Sequence, residues 1–598
     1  MRAWKTILLI MIFSASGAIA QQSTATPPAE LAPSQEPAVP APPQLPPAPP
    51  SPQTSDLSQD APAPAMPAPT PAQSIPAPSM PAQNMDQVID RAIEREHALL
   101  KMMHSRTPLV ETYVQDVKAI RQGGSAFTED HYFLGRLDLA KAVNRHDYLR
   151  GQRQMLGGFS NPLKRQYNPM GFSWMIFADR TEFDRKHYKF NYLRREFLGD
   201  VRCIVFDVVP KRASAGRFVG RIWVEDQQYN IVRLNGSYVP TTTSFRMDSW
   251  RLNLIPGYWI PAYIYSAGGD FSYGSKTKLG FKAQSRIWGY DLKGNGKEGE
   301  LTQLRLDTGA TDESAAAQDA TPLQAQRDWQ EQAEGNVVER LQNAGLLAPA
   351  GEVDKVLETV ANNLVVTNNL DIETPIKVRI MMTTPFETFS VGNTIVVSRG
   401  LVDVLPDEAS LAMVLSHELA HIFLGHNHGE QYAFSNIMLF SDEATYQNLG
   451  FRHSPEDETA ADKKAMELLQ NSPYKDKLAG PGLFLKALAE RAPSIPGLLT
   501  PHLGDRLVDR KGNVLRLVAL IKSAPALDPN KLDQLAALPL GGRIKVNAWD
   551  DRLTLIKTPP AAINSSNDKL PFDVTPFFPR LTRYGTTANS SASATASR

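Results

Sequence analysis

The sequence predicts a multidomain protein in which a mostly antiparallel β domain precedes an α+β domain. Its 598 residues favour two to four domains. Between about residues 199 and 290, apolar runs of period two alternate with Gly, Pro and Asp turns, which is typical of consecutive antiparallel strands. Beyond residue 327, helical apolar patterns alternate with short β-branched runs, which is typical of an α+β domain.

The predicted boundaries follow shifts in composition. Side chains larger than alanine are sparse in the Pro/Ala-rich stretch after residue 20, so this stretch is predicted to be a disordered spacer, with a Pro-motif ligand as the alternative. The predicted segments are a signal peptide (1–20), the Pro/Ala-rich linker (21–84), the mostly β domain (85–307), a second linker (308–326), the α+β domain (327–525) and a C-terminal extension (526–598), largely disordered from about residue 558.

The first twenty residues have the pattern of an export signal. Arg2 and Lys5 precede a short apolar core at 7–13, and Ala18-Ile-Ala20 before Gln21 fits a signal-peptidase site. An uncleaved anchor is the alternative, although the apolar run is shorter than a membrane span. We therefore expect a mature chain without a transmembrane segment. The expected location is the periplasm, with peripheral association with the outer membrane as an alternative.

Composition restricts the partners and the metal ligands. The 63 Lys+Arg balance the 63 Asp+Glu, so no nucleic-acid partner is predicted. The single cysteine, Cys203, excludes a disulfide within the chain and a cysteine-based zinc site. A metal ion would therefore need His, Asp or Glu ligands.

The elements are predicted from apolar periodicity and turn signals. The predicted helices are 85–104, 329–346, 351–364, a helix opened by Pro406-Asp407-Glu408, one opened by Pro455, and 514–521. The predicted strands are 199–210, 218–224, 229–234, 252–255, 259–265, 281–290, 376–382 and 394–398, with a small hairpin at 543–556.

The helix after Asp407 carries a His-Glu-x-x-His motif. His417 and His421 lie one turn apart on the same helical face, so one metal ion can take a nitrogen from each. Glu418 lies about 100° around the helix, beside such an ion, where its carboxylate can hold a water molecule.

A second predicted helix supplies carboxylates. Glu458 and Asp462 are four residues apart on one face, 37 and 41 residues after His421. One of them can be a third metal ligand, while the other can accept the second ring N–H of a ligand histidine.

These residues resemble the HtpX, BepA and CAAX-prenyl-protease group of zinc metallopeptidases, peptidase family M48. The matching motifs, which cover roughly residues 350–510, are His417-Glu-x-x-His421, Glu458-x-x-Ala-Asp462, Thr394-Ile-Val-Val-Ser-Arg-Gly-Leu401 and Asp407-Glu-x-x-Leu411. The resemblance implies a gluzincin-type zincin fold, one Zn²⁺ bound by His417, His421 and Glu458, Glu418 as catalytic base and Asp462 as support. The absence of later transmembrane segments favours the periplasmic BepA-like branch.

Two further residues depart from the family pattern. Family members often carry a His-Pro pair followed by Arg, whereas this chain has Pro501-His502 and then Arg506. His502 is a candidate fourth, inhibitory metal ligand, and His502 or Arg506 is a candidate transition-state stabiliser. Surface packing is the alternative for both residues.

The β domain resembles LolA/LolB-like lipoprotein-sorting domains in the rhythm of its strands from Glu196 to Gly236. That resemblance implies a half-open antiparallel barrel that accepts acyl chains or lipoproteins. A docking module or lid is the alternative.

The combined expectation is a zinc-dependent endopeptidase that acts on unfolded or misassembled envelope proteins. Two His and one Glu leave a coordination position for water, and an extended substrate is expected to pair with an exposed edge of the strand Thr394–Ser398. A chaperone-like or lipid-binding assembly factor with a restrained or inactive zinc site is the alternative.

Overall fold

The computed structural model describes residues 84–119, 125–139, 144–149, 167–239, 245–269, 279–290, 322–372, 374–426, 441–528, 544–546, 552–555 and 574–584. The predicted signal peptide and nearly all of both predicted linkers lie outside these ranges. Within the described residues, no helix is both long enough and apolar enough to cross a membrane.

The described part of the first domain is built on one long helix and a ten-stranded antiparallel sheet. The helix is α1 (Met85–Met103), and the strands are β1 (Leu109–Ala119), β2 (Ser125–Asp138), β3 (Asn144–Asp147), β4 (Tyr188–Leu198), β5 (Val201–Pro210), β6 (Phe218–Glu225), β7 (Ile231–Tyr238), β8 (Phe245–Ile255), β9 (Tyr258–Gly269) and β10 (Leu279–Trp288). Their order is β3-β2-β1-β10-β9-β8-β7-β6-β5-β4, so β3 and β4 are the edges of a sheet that does not close into a barrel. The predicted open antiparallel architecture is confirmed.

One face of this sheet packs against α1 and a short helix, α2 (Pro169–Trp174). Val88, Ile89 and Leu99 of α1 are buried there because they recur on one helical face. Glu96, also on α1, accepts two hydrogen bonds from the buried Arg251 of β8, at 2.5 and 2.7 Å. The helix is therefore fixed to the sheet by apolar contacts and by a paired buried charge.

The second domain contains a small mixed sheet and eight helices among the described residues. Its strands are β11 (Lys377–Met381), β12 (Thr388–Val391) and β13 (Thr394–Ser398), and its helices are α3 (Pro322–Asn343), α4 (Glu352–Thr367), α5 (Arg399–Val404), α6 (Glu408–Leu424), α7 (Asp442–Asn448), α8 (Pro455–Gln470), α9 (Ala479–Arg491) and α10 (Val518–Ser523). The predicted α+β architecture is confirmed.

The expectation of an exposed edge on Thr394–Ser398 is wrong. The strand order is β11-β13-β12, so β13 is central, parallel to β11 and antiparallel to β12. Its β-branched sequence is consistent with a strand that is paired on both sides. The edge strands are β11 and β12, and all four residues of β12 are buried.

The two domains share a hydrophobic core. Leu109 and Trp288 of the large sheet pack with the helices and strands of the second domain. Polar anchors reinforce this contact, because the Asp130 carboxylate accepts hydrogen bonds from the backbone N–H groups of Gly497 and Leu498, at 2.5 and 3.1 Å. The second domain is therefore held by the face of the sheet opposite to α1.

Part of the C-terminal extension is ordered. The predicted hairpin is confirmed as β14 (Ile544–Val546) paired with β15 (Leu553–Leu555). Residues 574–584, within the segment predicted to be largely disordered, lie against the large sheet. Leu581 is buried there, and Arg583 forms a 2.7 Å ion pair with Glu225, so apolar and charged contacts both fix this segment to the sheet.

Candidate metal centre

Helix α6 holds the motif histidines inside the second domain. Asp407 caps its first turn by accepting the N–H of Ser410 at 2.8 Å, and Gly425 ends it in a left-handed conformation (φ 68°). His417, Glu418 and His421 are each at most 1% exposed. The helix therefore presents its polar motif to an interior site.

Helix α8 supplies the carboxylates. Ser454 caps it, with Pro455 as its first residue, as the sequence predicted. Ala461 and Ala465 are fully buried, and their small side chains allow α8 to pack closely against α6. This packing brings Glu458 to the motif histidines.

The three predicted ligands converge on one point. The Nε2 atoms of His417 and His421 are 3.0 Å apart, and each lies 3.4 Å from a carboxylate oxygen of Glu458. Donor atoms bound to one tetrahedral zinc ion at about 2.0–2.1 Å are separated by roughly 3.4 Å. Together with the buried Glu458 Oε1, which forms no hydrogen bond with the described residues, these distances fit a single Zn²⁺.

Carboxylate and histidine neighbours orient the two ligand rings. Asp462 Oδ1 lies 3.0 Å from Nδ1 of His417, and its Oδ2 accepts the N–H of Leu517 at 2.7 Å. This places Asp462 in the predicted supporting position. His421 instead contacts a histidine, because its Nδ1 lies 3.0 Å from Nδ1 of His426.

Glu418 lies beside the ligands and is paired with Arg516, which the sequence interpretation missed. Arg516 Nη1 donates to Glu418 Oε1 at 3.0 Å, and Arg516 Nε lies 3.3 Å from Glu458 Oε2. The predicted helix over 514–521 begins too early, since α10 begins at Val518 and Arg516 precedes it in an irregular segment. A charged residue within an apolar run, Val514-Leu515-Arg516-Leu517, is the sequence signal that could have identified a buried arginine.

The charged neighbours of His417 and Glu458 together shift the pKa values of these residues in the direction opposite to that caused by burial. Burial and the Arg516 charge lower the pKa of His417, but the carboxylates of Asp462 and Glu458 raise it above its ordinary value overall. Burial alone would raise the pKa of Glu458, yet its contacts with His417, His421 and Arg516 hold it well below the usual range. Glu458 is therefore held in its ionised form, which is the form that a metal-binding carboxylate requires.

His502 and Arg506 are not in this group of donors. His502 Nε2 contacts the backbone carbonyl of Tyr446 at 2.6 Å, and its ring stacks on the Tyr446 ring. Burial and the charge of Arg452 lower the pKa of Arg506. The His502 side chain therefore packs against Tyr446, and the Arg506 side chain is half-buried.

Comparisons with known proteins address the two domains separately. No curated protein matches the chain. A crystal structure of a LolA superfamily protein from Nitrosomonas europaea matches with 12% identity and a TM-score of 0.16, covering 34% of this chain and 94% of that one. The model of Peptidase family M48 matches residues 351–455, which include His417, Glu418 and His421 but end before Glu458. Residues 351–455 of this chain are thus similar to Peptidase family M48, and this match supports a metallopeptidase function.

Proposed function

We propose that the protein is a zinc-dependent endopeptidase that acts outside the cytoplasm on unfolded or misassembled envelope proteins. The observation that carries this proposal is the convergence of His417, His421 and Glu458, with the carboxylate of Glu418 beside them. A closed structural zinc site has four protein ligands, whereas three ligands next to a free carboxylate oxygen are typical of a hydrolytic site.

The residues of the site have separate roles in peptide hydrolysis. Zinc bound by the three ligands supplies a Lewis acid for the scissile carbonyl and favours ionisation of water. Arg516 holds one oxygen of Glu418, while the other, Oε2, is buried and forms no hydrogen bond with the described residues. Glu418 Oε2 is therefore the atom that takes a proton from the attacking water and passes it to the leaving amine.

The substrate strand is assigned to β12. An extended peptide can add to the edge of a sheet through backbone hydrogen bonds, and β12, which packs against α6, is the edge strand nearest the motif. A methyl group on Gly504 would lie 2.2 Å from the carbonyl oxygen of Thr388, so the chain around Gly504 packs tightly against β12. Substrate entry would therefore require this covering segment to move.

The proposed location rests on the sequence. The basic, apolar and small-residue pattern of residues 1–20 supports export, and the proposed place of action is the periplasm or the periplasmic face of the outer membrane. The proposed substrates follow from this location and from the extended backbone that an edge strand accepts.

A second candidate function is a chaperone-like or lipoprotein-binding assembly factor with a restrained zinc site. The burial of all four β12 residues favours this candidate, because it limits access to the edge. Cleavage of an unfolded model protein, measured before and after chelation and zinc restoration, distinguishes the two. Zinc-dependent cleavage that Glu418→Gln abolishes supports the peptidase. Binding of the unfolded protein without cleavage by zinc-loaded wild type supports the assembly factor.

A further inference from the structure

A second group of metal-ligating side chains lies in the large sheet, far along the chain from the first. Asp116 of β1 is directly opposite Glu129 of β2, and His131 follows two residues later on the same strand. Alternate residues of a strand point to the same face, so all three side chains project from one face of this hairpin. A bulge next to Asp116 adds an extra residue to β2, and bulges commonly re-aim side chains at functional positions.

The donor atoms of this group are already close together. One donor atom from each of Asp116, Glu129 and His131 lies within 4.8 Å of the others, and His131 Nε2 is 3.2 Å from Asp116 Oδ2. The second oxygen of Asp116 accepts a hydrogen bond from the hydroxyl of Tyr167, whose ring packs beside His131. A hydrogen bond from a tyrosine hydroxyl to the carboxylate oxygen that does not face the metal fixes the orientation of a metal-binding carboxylate.

The charge arrangement also indicates a cation. Two carboxylates directly opposite each other on paired strands repel, and such pairs are destabilising. Both side chains are half-buried, which limits screening by water. A divalent cation between Asp116 and Glu129 would convert this repulsion into attraction.

We propose that Asp116, Glu129 and His131 bind a second divalent metal ion of the zinc class. One imidazole with two carboxylates suits Zn²⁺ or Mn²⁺ better than Mg²⁺ or Ca²⁺, because the hard cations select oxygen ligands alone. The proposal does not depend on the proposed peptidase activity, since none of these residues belongs to the first metal centre.

The position gives this site a structural consequence. Asp130, between the two β2 ligands, projects from the opposite face and accepts the N–H groups of Gly497 and Leu498. An ion that fixes Glu129 and His131 therefore fixes the strand that anchors the second domain. Leu498 in turn accepts the N–H of Phe386, two residues before β12 begins.

The test is the zinc stoichiometry of the full chain. Metal-stripped protein is equilibrated with Zn²⁺ in the presence of excess Mg²⁺, freed of unbound metal and measured by mass spectrometry. We expect two zinc ions per wild-type chain and one per chain of His131→Gln or Asp116→Asn. The substitutions should weaken binding at this site by more than the ~10–100-fold that loss of a supporting residue costs.

His187→Gln is the matched control. His187 also contacts two carboxylates, Asp184 at 2.8 Å and Glu182 at 3.6 Å, but belongs to no group of three metal donors among the described residues. This variant should keep two zinc ions. Circular dichroism confirms the fold, and Co²⁺ absorption of a His417→Ala chain reports the second site independently of the first.

Two results would overturn the proposal. One is a wild-type chain that binds a single zinc ion, which His417→Ala loses and His131→Gln retains. That result would leave the peptidase proposal intact and would make Asp116 and His131 an ordinary ion pair. The other is a second zinc ion that both His131→Gln and Asp116→Asn retain.

Discussion

Arg516 Nη1 lies 3.0 Å from Oε1 of Glu418, and both side chains are buried inside the second domain. The same guanidinium is 3.3 Å from Glu458 and 3.6 Å from Asp505. One arginine thus compensates three carboxylates in a low-dielectric interior, where an unpaired charge is costly. The pairing leaves the second oxygen of Glu418 available for proton transfer.

Replacement of Arg516 should destabilise the fold. Arg516→Met removes the cation that pairs with Glu418 and lies beside Glu458 and Asp505, and it is expected to lower the free energy of unfolding by about 3–5 kcal/mol. Arg516→Lys should cost less, because it keeps the charge but loses the planar fork. Urea unfolding measures both, with the exposed Arg510→Met as control, for which a change within about 0.5 kcal/mol is expected. Equal stability of the Arg516→Met and Arg510→Met chains would contradict this account.

Asp462 should tune zinc affinity without binding zinc. Asp462→Asn loses the anionic partner of His417 Nδ1, so we expect zinc affinity at the first centre to fall by ~10–100-fold. Competition with a chromogenic chelator measures this change. Glu467→Gln, on an exposed position of the same helix, should leave the affinity unchanged. An Asp462→Asn chain with wild-type affinity would exclude the supporting role.

The grouping of the candidate metal ligands was largely predictable because their residues repeat at helical spacing. His417 and His421, with Glu458 and Asp462, occupy i and i+4 positions that a helix must place on one face. Arg516 was missed because it lies in an irregular segment, where no periodicity relates sequence to direction. Its partners Glu418 and Glu458 are about 60 to 100 residues away and meet it only through tertiary packing.

The fold was predictable where strands alternate in polarity and less so elsewhere. Strands β5 to β7, β9 and β10 were identified within a few residues, β8 begins seven residues before its predicted start, and β1 to β4 were not identified. β4 is a mostly exposed edge strand with basic and aromatic residues, so it lacks a period-two burial pattern. The central position of β13 could not be inferred, because apolar β-branched sequence marks burial without specifying strand order.

The anchor between the domains should depend on pH. Burial raises the pKa of Asp130 from 3.8 to about 6. The folded chain therefore holds a proton more tightly than the unfolded chain, so this stabilisation is present below pH 3.8 and is lost as pH rises through 6. Over that interval, the free energy of unfolding of the wild type should fall by about 3 kcal/mol relative to that of Asp130→Asn. Urea unfolding of both chains at each pH measures this difference. A pH-independent difference between the two chains would contradict the assignment.

His502 is expected not to plug the zinc site. Its Nε2 contacts the Tyr446 carbonyl, so His502→Ala should cost about 1 kcal/mol of stability and leave zinc affinity within about twofold of wild type. Chelator competition and peptide cleavage measured on the same preparation check this. A tenfold or greater rise in cleavage rate, together with weaker zinc binding, would instead identify His502 as the inhibitory fourth ligand.

The central claim is that His417, His421 and Glu458 hold a zinc ion at which Glu418 acts as base. Glu418→Gln keeps the size of the side chain and removes its basicity. The measurement therefore compares two properties of the same purified Glu418→Gln chain, its zinc content and its rate of cleavage of an unfolded protein. We predict wild-type zinc content and a loss of cleavage rate of about 10²–10⁴-fold. Wild-type cleavage by a Glu418→Gln chain with full zinc content would contradict the account.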